Sequence, residues 1–83
     1  MSRILVEVRI PAASLRRDAF IPFEMPMHEV MALLKSALAD DVTPVLQMSD
    51  DMVLCDAATG AIFNVNWTPE EIGLEDGSQI MLI

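Results

Sequence analysis

Basic side chains are scarce in this 83-residue chain: Arg3, Arg9, Arg16, Arg17 and Lys35 stand against 13 carboxylates, a formal charge of -8. A phosphate backbone finds little here to neutralise it, so nucleic acid is not an expected partner. Attraction to an anionic membrane surface fails for the same reason. Cysteine occurs once, at Cys55, which excludes an intrachain disulfide and a cysteine-based zinc cluster. The three glycines, Gly60, Gly73 and Gly77, form no glycine-rich run ahead of a helix, so there is no phosphate loop. Long apolar runs are lacking too. The N-terminal stretch Met-Ser-Arg-Ile-Leu-Val-Glu-Val-Arg is interrupted by charge and reads as neither signal peptide nor membrane span. The expected address is the cytoplasm, with no direct membrane insertion.

What is present is apolar. Hydrophobic residues make up 53% of the chain, enough for one compact core, and the length allows a single domain over residues 1–83. Residues 3 to 10 alternate strictly, with Ile4, Val6, Val8 and Ile10 on one side and Arg3, Leu5, Glu7 and Arg9 on the other, the mark of a half-buried strand. Pro11 removes a ladder donor and should end it. Residues 12 to 17 then read as a hairpin loop. A second strand follows near Asp18 to Phe23, with Ala19, Ile21 and Phe23 inward and Phe20 outward.

From Met27 to about Ala39 the period becomes helical, with Met27, Val30, Met31, Leu34, Ala37 and Leu38 on one face. Asp40 and Asp41 are acids at the negative end of the dipole and should stop the helix. Val45 to Met48 reads as extended, Ser49-Asp50-Asp51 as a turn, and Met52 to Cys55 as a short strand. Asp56 to Gly60 is turn chemistry, and Ala61 to Val65 is expected to return as the other arm of a hairpin. Thr68, Pro69, Glu71 and Gly73 specify a capped helical turn. Asp76-Gly77 turns the chain into a last strand, Ser78 to Ile83. The order is β-β-α-β-β-turn-β, an α+β domain with a mixed sheet packed on one helix.

Sites for chemistry are poorly supported. Cys55 and His28 would need contact and an orienting third group to act as nucleophile and base, and a lone cysteine is more often a small buried hydrophobe. The acidic pairs Asp40/Asp41 and Asp50/Asp51, with Asp56, do not match a calcium-loop spacing and read as solvated turn carboxylates. No catalytic, metal or cofactor residue is assigned, and enzymatic activity is not expected.

The order of elements is that of the β-grasp, or ubiquitin-like, fold. The segments Ile4-Leu-Val-Glu-Val-Arg-Ile-Pro, Ala19-Phe-Ile-Pro, Val53-Leu-Cys-Asp-Ala-Ala-Thr-Gly-Ala-Ile-Phe-Asn and Glu71-Ile-Gly-Leu-Glu-Asp-Gly-Ser-Gln-Ile-Met-Leu-Ile carry a further likeness. Through them the chain resembles the small bacterial ubiquitin-like proteins of type VII secretion loci, the YukD/EsaB-like family. That resemblance implies a cytoplasmic accessory or regulatory adaptor, a secretion-machinery component as partner, and no active-site motif. Unlike conjugated ubiquitins, the sequence reaches Ile83 without a terminal diglycine, so carrier activity is not expected.

In this topology the first and last strands are neighbours at the middle of the sheet. Alternation puts Met81 and Ile83 opposite Ile80 and Leu82, and Leu5 on that same outer face. Leu5, Met81 and Ile83 are expected to form one exposed apolar patch, extended by Phe20, and to dock a protein. Scattered surface apolar residues are also normal. Trp67 beside a capped turn is expected to pack locally, and the turn acids to form an acidic rim that selects a basic partner. Two other readings stand beside the adaptor: a small β-grasp subunit of a multicomponent enzyme complex, such as an oxygenase, and a self-associating structural domain.

Overall fold

The computed structural model describes residues 2–42 and 51–83, with only the backbone at 41 and 42. The alternating stretch forms strand β1, Arg3–Ile10, with Ile4, Val6, Val8 and Ile10 buried as the pattern demands. Pro11 opens a short 3₁₀ turn, Pro11–Ala13, and Ser14 reverses the chain in the left-handed region at φ 52°, its N–H donating to Pro11 O at 3.0 Å. Strand β2 therefore starts at Leu15, not near Asp18, and runs Leu15–Pro22. Arg16 and Arg17 look like loop residues because they are polar, but pairing with β1 extends the ladder through them, from Ile10↔Leu15 to Arg3↔Pro22. Ile21 is buried and Phe20 points outward, as expected.

Helix α1, Met27–Val42, packs Met27, Val30, Leu34 and Leu38 into the core. Met31 is half-buried, whereas Ala37 faces solvent instead of joining the stripe. The helix continues past Asp40. Its N-terminal amides are satisfied from elsewhere: Met27 N–H donates to Trp67 O at 2.8 Å and His28 N–H to Val65 O at 3.0 Å. The stretch expected at Val45 to Met48, and the Ser49-Asp50 part of the following turn, lie outside the described residues.

Strand β3 is Leu54–Asp56 and strand β4 is Gln79–Leu82. Between them Asp56 Oδ1 accepts from the Ala58 and Thr59 amides at 2.7 and 3.1 Å, closing the expected turn. The return arm is shorter than the sequence suggests. Among the described residues, Ala61 to Val65 pairs through the single bridge Cys55↔Ile62. Asn64 Oδ1 then accepts from Asn66 N–H at 2.9 Å, a local turn that draws the chain off the sheet. Helix α2, Pro69–Ile72, has the full reciprocal cap between Thr68 and Glu71 and ends at Gly73 with φ 91°.

The sheet order is β2-β1-β4-β3, with β1 and β4 parallel at the centre and antiparallel strands on either side. This is the β-grasp arrangement, with one mixed sheet closed on one face by α1. Among the described residues the order is β-β-α-β-α-β: the arm after β3 is a bridge, and the expected turn before β4 is the short α2. Val6, Val30, Ile80 and Leu82 are fully buried between sheet and helix.

Candidate functional site

The face of the sheet turned away from α1 carries the residues singled out for docking. Their heights along the strands follow from the register. Leu5 lies opposite Phe20, and Arg3 stacks its guanidinium over the Phe20 ring, 4.3 Å from the centroid. Phe20 stays 57% exposed. On its other side Leu5 meets the 76–77 turn: its N–H donates to Asp76 Oδ1 at 2.8 Å, and its carbonyl accepts from Gly77 N–H at 2.8 Å.

Two residues further along the strands comes a polar row. Asp18 opposes Glu7, Glu7 is level with Gln79, and Gln79 Nε2 donates to Glu7 Oε2 at 3.1 Å. Beyond it the row runs Arg16, Arg9, Met81, Cys55 and Ile62 across the whole sheet. Ile83 lies past that row, exchanging backbone hydrogen bonds with Val53 at 3.0 and 2.7 Å.

Leu5, Met81 and Ile83 thus share a face but are not side by side. Leu5 pairs with Phe20 at one end, while Met81 lies roughly 13 Å along the strands and Ile83 roughly 20 Å, at about 3.3 Å per residue. The Glu7–Gln79 row separates the two ends. Met81 is half-buried and Ile83 is 48% exposed. Ile62, 65% exposed, joins the second end. Sequence reading missed it because one bridge residue leaves no alternation to detect. Trp67, expected to pack locally, is 49% exposed on the loop whose carbonyls cap α1, near Val65 in sequence.

Cys55 is fully buried yet stands outside the main core cluster, in the outer-face row, with its Sγ 3.6 Å from Met81 O. Burial, and then the Asp56 carboxylate, push its thiol up from the ordinary range. A thiol held protonated is a poor nucleophile. His28 is exposed on α1, across the sheet from it, so the two do not meet. Among the described residues no three His, Cys, Asp or Glu side chains gather as metal ligands, and no helix is long and apolar enough to cross a membrane.

Charge is distributed unevenly between the turns and the sheet face. Glu70, Glu71, Glu75 and Asp76 lie along the closing segment, while the outer face carries Arg3, Arg9 and Arg16 with Glu7 and Asp18.

No protein-family model matches the chain, and no curated protein matches it in sequence. Solved structures do match. A chain of the toluene 4-monooxygenase HD complex with the inhibitor 4-bromobenzoate superposes with a TM-score of 0.81 at 16% identity, covering 98% of this chain and 96% of that one. The EccD5 ubiquitin-like domain from Mycobacterium xenopi gives 0.73 at 14% identity, covering 100% and 94%. The ubiquitin-like domain of the Mycobacterium tuberculosis type VII secretion protein EccD1 gives 0.69 at 18% identity, covering 100% and 99%. At these identities the likeness is one of fold, and the fold is the ubiquitin-like β-grasp.

Proposed function

We propose that this chain is a non-catalytic ubiquitin-like adaptor or regulatory protein, one domain over residues 1–83. In this reading it is a cytoplasmic, YukD/EsaB-like accessory of a type VII-like secretion system. It acts by docking its outer sheet face onto a protein component of that machinery. The observation that carries the reading is the outer face, which keeps large apolar side chains exposed at both ends. An aromatic held by a cation, as Phe20 is by Arg3, is an anchor of the type that dominates protein interfaces. The hydrogen-bonded Glu7–Gln79 row between the ends fixes how a partner must lie. The likeness to EccD1 and EccD5 domains favours a secretion component over other partners.

A second reading has its own support. The match to a chain of the toluene 4-monooxygenase complex, at a TM-score of 0.81, favours a small β-grasp subunit of a multicomponent enzyme. One experiment separates the two. The tagged chain is used to capture proteins from native lysate, in parallel with Phe20→Ser and Ile83→Ser, and the bound proteins are identified by mass spectrometry. A type VII membrane component held by the wild type and lost by both variants is the expected result. A metal-containing oxygenase subunit in its place establishes the second reading. Equal capture by wild type and variants removes the outer face from the account. Light scattering over a concentration series checks for self-association.

A further inference from the structure

Four of the five cations of this acidic chain are arginines on one hairpin. Arg3, Arg9, Arg16 and Arg17 share β1 and β2 with only Glu7 and Asp18, whereas residues 23–83 hold eleven carboxylates against Lys35. Within the hairpin, Arg9 and Arg16 are directly opposed across the ladder. Like charges in that arrangement are destabilising. In a chain with 13 carboxylates, that placement needs a reason.

Both guanidiniums lean on a single atom. Arg9 Nε lies 3.5 Å and Arg16 Nε 3.8 Å from Glu7 Oε1, and the other Glu7 oxygen is taken by Gln79. Charge-assisted hydrogen bonds run to about 2.7–2.9 Å, so this one carboxylate oxygen leaves the pair under-satisfied. The Nη groups of both have no partner among the described residues. With Pro11, Ser14 and Leu15, the two arginines line a cleft of about 370 Å³ at the turn end of the hairpin. Two incompletely paired forks beside two apolar side chains have the form of an acid-recognition site.

We propose that this cleft binds a carboxylate of an acidic protein segment, gripped by Arg9 and Arg16, with the adjoining hydrocarbon resting on Pro11 and Leu15. The ligand relieves the repulsion that Glu7 only partly offsets. The carboxylates over the rest of the molecule repel a long polyanion, which favours a short acidic peptide over nucleic acid. The site lies at the opposite end of β1 from the Leu5–Phe20 contact and extends beyond the docking reading.

The test follows backbone amide shifts of the full chain during peptide titration. Acetylated tetraglutamate amide offers side-chain carboxylates, acetylated Ala-Ala-Leu with a free C-terminus offers a terminal one, and acetylated tetraglutamine amide offers none. Shifts confined to residues 9–16 with either carboxylate peptide, and absent with the glutamine peptide, are expected. Arg9→Gln and Arg16→Gln should each weaken binding about tenfold or more, the size of one charge-assisted contact. Four results overturn the proposal. They are no shift at residues 9–16 with either carboxylate peptide, an equal response to the glutamine peptide, undiminished binding by both variants, and tighter binding of tripolyphosphate or oligouridylate at the same amides.

Discussion

Removing the Thr68 hydroxyl should loosen two helices at once. Helix α2 is four residues long, too short to persist on its own propensity, so its capping bonds hold it. Thr68 Oγ1 accepts from Glu71 N–H at 3.2 Å, and Glu71 Oε1 accepts from Thr68 N–H at 3.0 Å. Thr68→Ala deletes the first bond, a loss of about 1 kcal/mol. Glu71→Ala deletes the second, with a net loss of about 1 kcal/mol. Because each bond holds the other in place, the double variant should lose about 0.5 kcal/mol less than the two singles together. For a domain of this size, each single change lowers Tm by about 4–8 °C. The effect should also reach α1, whose first amides donate to the carbonyls of Val65 and Trp67 just before the cap. Native-state hydrogen exchange should therefore show protection falling further at Met27 and His28 than at Val6 and Val8 in β1, which lose only what the whole domain loses. A Tm within about 1 °C of the wild type, or protection lost evenly across helix and sheet, would refute this account of the closing segment.

Three other perturbations have outcomes fixed by the packing and charge. Leu82→Ala removes a fully buried side chain of β4 and should cost roughly 2–5 kcal/mol in urea unfolding; a smaller loss would mean that the core collapses into the space. The buried Cys55 thiol is pushed above its ordinary value of 9.0, so the folded chain holds that proton more tightly than the unfolded one. Its contribution to stability is therefore complete below about pH 9 and lost as pH rises through the folded value, and unfolding curves of Cys55→Ala should lack that alkaline decline. Glu7→Gln leaves Arg9 and Arg16 without their shared carboxylate and should destabilise by no more than about 1 kcal/mol at low ionic strength, recovering as salt screens the arginines. Melts with the same salt dependence as the wild type would show that the opposed pair is already relieved by solvent.

Local signals in the sequence decide structure where they are long or chemically specific. Eight alternating residues define β1 and its buried side, and Thr68, Pro69, Glu71 and Gly73 define α2 atom by atom. The signals that misled were those that depend on a distant partner. Arg16 and Arg17 are polar enough for a loop, yet β1 offers them a ladder. Ala61 to Val65 is apolar enough for a strand, yet the Asn64 turn leaves it one bridge. The docking residues show the same division. Alternation decides which face a side chain takes, and it assigns Leu5, Phe20, Met81 and Ile83 to a common one. It does not set the stagger between β1 and β4, which puts Glu7 level with Gln79 and Arg9 level with Met81. The opposed arginines are hidden for that reason too, since Arg9 and Arg16 become neighbours only once the Ser14 turn sets the hairpin register.

The broken pattern of the outer face bears on how selective a contact there can be. An unbroken apolar strip from Leu5 to Ile83 would favour any oily surface, including a second copy of the chain. The Glu7–Gln79 row interrupts that strip with groups already hydrogen-bonded to each other, so a partner that buries them must supply polar atoms for their remaining capacity or lose the desolvation energy. Apolar contact at the two ends is then productive only for a surface that also meets the polar row between them and tolerates the arginines beside it. Mismatched surfaces bury the Glu7–Arg9–Arg16 cluster with one positive charge uncompensated, and an unpaired buried charge outweighs what Phe20 or Ile83 contributes. The face discriminates by what it penalises, and its strongest penalties come from the few basic residues of an otherwise acidic chain.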